Sequence, residues 1–349
     1  MFKRYLKTWW RGLIYDPEDP RFIAGADIKI AAIGGGTGLA VLLQGLKHYS
    51  NKISAIVTMT DDGKSSGTIR KEFKSPPPGD VRKCISALAI NEKFVSDIFE
   101  YRFINKKSSL SGHTLGNLWL LALSKKLGSL EKAIEVTTEV FETAGKILPS
   151  ALGKINLKAI YSDNSQIVGE SRIPQPGKTI KKIELIPSKN QAYSKAVRAI
   201  EKADLIITGP GSLYTSIIPN FLIGGIKNAI KRNKEAIKLY VANCSTERGE
   251  TENLGVEEHI EAIFHHAKTK LFDYCLVNNK LIQSSNKKSK LGEVNNITTH
   301  KKTCHNCRII HSNLINKKNP LYHHPRKLAA AIIQIYKNAP RVEKVRNFK

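Results

Sequence analysis

No stretch of this chain reaches eighteen consecutive apolar residues, so no membrane-crossing helix is expected. Cysteine is scarce and odd in number, with five in 349 residues at positions 84, 244, 275, 304 and 307. Such a set does not make a disulfide scaffold. Acidic residues are outnumbered, 30 against 56 lysines and arginines, for a formal net charge of +26. That balance favours polyanionic or phosphorylated partners. It does not specify a nucleic-acid reader, because a zinc-finger spacing, an aromatic RNA-binding signature and a helix-turn-helix pattern are all missing. Residues 1–15 are basic and aromatic but lack the apolar core and small-residue cleavage site of a signal peptide. The expectation is a cytoplasmic protein with an N-terminal arm over 1–27, docked on the domain or lying on an anionic membrane surface.

What is present is organised around Gly34-Gly35-Gly36-Thr37-Gly38. An apolar run at 28–33 leads into these glycines, and apolar residues at helical spacing follow over 39–48, the pattern of a buried parallel strand turning into a helix. Glycines there let backbone N–H groups approach a phosphate at a helix N-terminus. A tight turn without a ligand fits the same letters. The spacing is neither that of dinucleotide sites nor that of P-loops.

A second strand over 53–58 ends at Asp61-Asp62-Gly63-Lys64-Ser65-Ser66-Gly67-Thr68. Acids at the carboxyl end of a strand lie where open α/β sheets bind ligands, and they suit a sugar, a base or a cation held against phosphates. Three prolines at 76–78 place Asp80 as a helix N-cap, with Arg82 and Lys83 projecting from the first turn. In Ser111-Gly112-His113-Thr114-Leu115-Gly116-Asn117, Asn117 shares a helix face with His113 and Thr114. His113 reads as a hydrogen-bonded structural residue or as a general acid/base.

Alternating patterns over about 155–187 predict an antiparallel side sheet, with turns at Asp163-Asn164 and Pro174-Gln175-Pro176-Gly177. Parallel order returns with a strand at 205–208 that delivers Gly209-Pro210-Gly211-Ser212, a second phosphate nest facing the first. A further strand, 238–242, ends at Asn243, Cys244 and Thr246. Asn243 and Thr246 are candidates for reading a base. A helix near 256–266 and a strand at 272–277 complete the core. Residues 280–320 read as a basic excursion of little periodicity, and from 280 to 349 sixteen basic residues face two acidic ones. Cys304-His305-Asn306-Cys307 has half of a zinc site, with His311, His323 and His324 as possible further ligands. A helix at 326–336, within a segment 321–349, packs back on the sheet.

Five of these motifs in this order resemble the gluconeogenesis factor family, within the superfamily of the 2-phospho-L-lactate transferases. They are Gly34 to Gly38, Asp61-Asp62-Gly63, Pro76 to Asp80, Ser111 to Asn117, and Gly209 to Ser216. The resemblance covers about 28–279 and the last helix. It implies an α/β fold, a Rossmann-like three-layer αβα domain with a mostly parallel sheet, and frequent homodimers. It also implies binding of a nucleotide sugar such as UDP-N-acetylglucosamine or UDP-glucose, with effects on cell shape and wall metabolism. The transferase branch implies magnesium. Two departures stand out: the family pattern leads one to expect glycine at 64 and arginine near 68, where this chain has Lys64 and Thr68.

The expected site follows from these readings. Gly34, Gly35, Gly36, Thr37 and Gly38 cradle one phosphate, and Gly209, Gly211 and Ser212 take the other side. Asp61 and Asp62 contact the sugar or a cation, with Lys64, Ser65 and Ser66 beside them. His113 and Asn117 orient the ligand. One rival is a transferase in which Asp62 and Mg2+ activate an acceptor hydroxyl, with His113 as acid/base. Another is a nucleic-acid-associated protein that uses the basic end. A regulatory protein partner belongs with the first reading.

Overall fold

The computed structural model describes residues 27–105, 107–282, 288–289 and 292–340. The expected arm, apart from Asp27, and the tail beyond 340 lie outside the described residues. From Ile30 the elements run β1 (Ile30–Gly34), α1 (Gly36–Leu46), β2 (Ile53–Val57), α2 (Lys64–Phe73), α3 (Gly79–Leu88), α4 (Glu92–Phe99), α5 (Leu115–Leu127), α6 (Leu130–Val140) and β3 (Gly145–Pro149). An antiparallel group follows: β4 (Asn156–Tyr161), β5 (Gln166–Val168) and β6 (Ile180–Ile186). Then come α7 (Ser194–Glu201), β7 (Leu205–Thr208), α8 (Ile218–Leu222), α9 (Ile226–Arg232), β8 (Ile237–Val241), α10 (Val256–Ala267) and β9 (Tyr274–Asn278). Short β10 (Lys288–Ser289) and β11 (Gly292–Glu293) pair with each other, β12 (Thr303–Cys304) and β13 (Cys307–Ser312) form a hairpin, and α11 (Pro325–Asn338) follows.

The main sheet has the order β12-β13-β9-β8-β7-β1-β2-β3 and is parallel except at β12. Its direction of growth reverses between β1 and β7, and the crevice at that switch point is where such sheets take ligands. The residues of β1 are all buried, as expected of a parallel strand covered on both faces. Their alternation divides them between two layers. Ile30 and Ala32 pack with Leu39, Leu43, Ile85 and Ile332 from α1, α3 and α11; Ala31 and Ile33 pack with Ile217, Ile260 and the inner face of the side sheet. Each fully buried Leu or Ile contributes about 2 kcal/mol, so the two layers hold the strand ends where the loops need them.

Helix α11 sits unusually close to α1. A Cβ on Gly45 would lie 2.1 Å from the Pro325 carbonyl oxygen, so only glycine admits this crossing. The antiparallel side sheet, β5-β4-β6, forms where alternation placed it.

Three expectations need correction. Residues 303–312 are not an excursion: β13 pairs in parallel with β9 from Arg308↔Tyr274 to Ser312↔Asn278, so this segment extends the main sheet. Asp80 is not the N-cap of its helix, because α3 begins at Gly79 with Pro78 in the capping position. Nor does Arg82 project outwards. It is buried, donates to Asn117 Oδ1 at 2.9 Å and pairs with Glu100, satisfying its charge inside the helical layer.

Candidate functional site

Helix α1 starts at Gly36, so the first glycine turn is shorter than the spacing suggested and the expected cradle falls on the helix's own first turn. Gly36 has φ +63°, a left-handed conformation natural to glycine. Its N–H donates to Asp80 Oδ2 at 2.7 Å. The second loop approaches from β7. A Cβ on Gly38 would sit 2.4 Å from the Pro210 carbonyl oxygen, so the two loops touch at backbone distance. Gly211 is fixed from β8: its N–H donates to Asn243 Oδ1 at 2.9 Å, and Asn243 Nδ2 donates back to the Gly211 carbonyl at 3.0 Å.

Between these loops lies a cleft of about 280 Å³. Among the expected residues, Gly35, Gly36, Thr37, Gly38, Asp61, Gly211, Ser212 and Asn243 line it. Gly34 and Gly209 lie behind the lining, as the last residue of β1 and the first after β7. Asp62 is turned away from the cleft: its carboxylate accepts from the Glu170 and Ser171 N–H groups at 3.0 and 2.8 Å, pinning the side sheet's turn. Ser65, His113 and Asn117 are buried and do not line the cleft. His113 Nδ1 meets Ser65 Oγ at 3.0 Å, and Asn117 Nδ2 donates to the same hydroxyl at 2.9 Å. Ser66 hydrogen-bonds Asp61. Lys64 is exposed at φ +40°, a conformation in which glycine would be at ease. Thr246 is buried, with its Oγ1 accepting from the Asn295 N–H at 2.9 Å.

Arg70, rather than an arginine at 68, braces the acidic loop. Its guanidinium donates to the carbonyls of Thr60, Asp61 and Ile155 and to Asn156 Oδ1, at 2.6 to 3.1 Å. The loop is thereby tied to the side sheet.

The electrostatics of the cleft are acidic. Asp61, Asp80, Glu170 and Glu247 line it beside Lys83. Burial, and then the charges of Asp61, Asp80 and Asp62, push the Glu170 carboxyl up to about 8. Burial and the neighbouring Asp80 also raise Asp61, against hydrogen bonds from Ser66 and the Gly63 N–H. Burial works against the charge of Lys83, but Asp80 and Asp61 outweigh it and raise the ammonium. Burial raises Glu247, moderated by a hydrogen bond from Ser212. It also pushes the Cys244 thiol up to about 12, which removes the thiolate a nucleophile needs.

Glu170 and the wall Leu321-Tyr322-His323 were not singled out for this cleft by the sequence. Glu170 had one weak signal, the preceding Gly169, whose φ is +117°. Among the described residues no group of three His, Cys, Asp or Glu side chains is arranged to hold a metal ion. Cys304 and Cys307 face each other across the β12–β13 hairpin, both free.

A sheet that reverses at two glycine loops, with acids at its carboxyl edge, defines a Rossmann-like protein with a cleft at its switch point. The profile of the 2-phospho-L-lactate transferase CofD family matches residues 30–315. The chain belongs to this CofD-like family, and its relatives within it are gluconeogenesis factors. The gluconeogenesis factor of Bacillus subtilis is 43% identical over 256 residues, 73% of this chain and 80% of that protein. A Nostoc sp. relative is 47% identical over 253 residues, 72% of this chain but 55% of its own length, so the chain spans about half of that protein. A crystal structure of a Bacillus halodurans protein superposes with TM-score 0.84 at 37% identity, covering 88% of this chain and all of the other. No described helix is long and apolar enough to cross a membrane.

Proposed function

We propose that the protein binds a nucleotide sugar, of the UDP-N-acetylglucosamine or UDP-glucose type, in the cleft between its two glycine loops. In this reading it acts as a cytoplasmic regulatory factor for carbon and cell-wall metabolism and hence cell shape. The observation that carries the reading is the contact of Gly38 with Pro210. It brings the two glycine loops together at the switch point of the sheet, with hydroxyl-accepting carboxylates on one side. The gluconeogenesis factor name of the relatives supports the link to carbon metabolism. Homodimerisation and contact with a regulatory protein partner belong to the same reading. So does weak contact of the basic ends with polyanions or membrane surfaces. Magnesium belongs to this reading as the ion accompanying the diphosphate.

Calorimetric titration with UDP-N-acetylglucosamine and UDP-glucose tests the proposal, comparing wild type with Thr37→Trp. Thr37 is exposed at the mouth of the cleft, so the indole fills the site without strain in the core. Wild type should bind and the variant should not; absence of binding by wild type at about 1 mM would end the proposal.

The transferase reading has one specific observation in its favour. Glu170 lines the cleft and, pushed up to about 8, carries a proton at neutral pH, as a general acid does. Asp62 and His113 are committed to hydrogen bonds away from the lining. Turnover of a nucleotide-sugar donor that disappears in Glu170→Gln, with binding retained, would establish this alternative.

A further inference from the structure

The cleft is not symmetric. Towards β2 it presents Asp61, Asp80, Glu170 and Lys83, groups that suit hydroxyls. Towards β8 it presents a mixed wall made by Leu321, Tyr322 and His323, a segment beyond the family-matched residues 30–315. That segment is tied down on both sides of the wall: the Asn316 N–H donates to the Tyr322 carbonyl at 3.0 Å, and the His324 N–H to the Leu314 carbonyl at 2.7 Å.

The polar groups near this wall are mostly spent. Both ends of the Asn243 amide are engaged, with Gly211 and Glu247. The Thr246 hydroxyl is engaged with Asn295, and Thr246 does not line the cleft. His323 is the exception. It is 4% exposed, and its ring is bonded to the Ala242 carbonyl, while Nε2 has no partner among the described residues. The ring therefore uses Nδ1–H towards Ala242, leaving Nε2 as a bare acceptor. A buried unpaired acceptor is costly and calls for an explanation, of which an absent ligand is one.

Resting on the nucleotide reading above, we propose that His323 reads the base of the bound nucleotide, its Nε2 accepting a hydrogen bond from a ring N–H. Uracil offers that donor at N3. The phosphates then lie between the glycine loops, and the sugar lies towards Asp61 and Glu170. Burial lowers the His323 imidazole to about 4, which keeps the acceptor lone pair available throughout the neutral range.

The experiment measures affinity for UDP-N-acetylglucosamine and for its N3-methyluracil analogue, in wild type, His323→Phe and His323→Gln. Wild type should prefer the unmethylated ligand about tenfold or more. His323→Phe should bind both weakly and alike, and His323→Gln, which retains an acceptor, should recover part of the preference. In wild type the 15N resonance of His323 Nε2 should move on adding the nucleotide, a readout that needs no variant to fold. Equal affinity of wild type for both ligands, an unchanged preference in His323→Phe, or a stationary resonance would overturn the inference while leaving nucleotide binding in place. A wild type that binds neither ligand would remove both.

Discussion

The two edges of the main sheet make a useful pair. At the carboxyl edge is the cleft, about 280 Å³ and lined by acids. At the amino edge is a larger groove, about 430 Å³, lined by Lys29, Lys52, Lys146, Lys195, Arg198 and Lys202 over Ile30 and Ile53. In a protein of net charge +26 the groove follows the overall composition, whereas the cleft departs from it. The cleft is also the more constrained. Its walls meet at backbone distance, and the Asp61 and Glu170 carboxyls are raised by burial and by neighbouring carboxylates. The groove's cations are on long stems, and two are paired with exposed acids, Lys52 with Asp27 and Lys195 with Glu135. Total charge thus indicates what surrounds a protein, while enforced backbone contact and crowded like charges mark where it is built to act.

The largest effect should come from cutting the acidic edge loose. Arg70→Met leaves the buried carbonyls of Thr60, Asp61 and Ile155 without their donor, and should lower unfolding stability by about 3 kcal/mol in denaturant titration. Gly38→Ala drives a methyl into the Pro210 carbonyl and should cost about 2 kcal/mol, with ligand binding lost as the loops separate. An unchanged midpoint in either variant would show that the edge is less constrained than the contacts imply.

A subtler effect is the pH response of Glu170. Unfolded, it releases its proton near 4.5; folded, it holds the proton to about 8. The folded state therefore binds the extra proton between these values, and the contribution of Glu170 to stability is full below the lower one and lost as pH rises through the upper. Compared with Glu170→Gln, wild type should lose stability between about pH 5 and about pH 9, and parallel profiles would contradict the crowded-acid picture. The smallest effect belongs to the groove. The double variant Arg198→Glu, Lys202→Glu should change stability by less than about 0.5 kcal/mol and leave nucleotide affinity untouched. It should nevertheless elute earlier from heparin in a salt gradient. Loss of nucleotide binding in this variant would break the separation of the two edges.

The core was legible because its signals are local. The unbroken apolar run of β1, its glycines and the periodic helix after them state a buried strand and a turn without help from the rest of the chain. The alternation in β4 and β6 likewise announces a sheet with one covered face. β13 escaped because Cys307-Arg308-Ile309-Ile310-His311-Ser312 is only partly covered, lying next to the sheet's outermost strand, so polar residues break its apolar pattern. Within the site, the glycines could be found because conformation demands them. Asp62 and Asp61 could not be told apart, since which carboxylate faces inward depends on the distant Glu170 and Ser171 N–H groups. His323 was visible only as a possible zinc ligand, because its place at the cleft depends on how the chain returns before α11.

The fit of Gly45 under Pro325 bears on where this domain can be cut. The helix that begins at Pro325 rests on the same helix whose first turn lines the cleft, and the wall at 321–323 is spliced between them. An expression clone trimmed at residue 315, where the family profile stops, would keep every glycine motif and still lack one side of its pocket. For anyone drawing the border of this domain or building chimaeras with it, the structural boundary lies past α11.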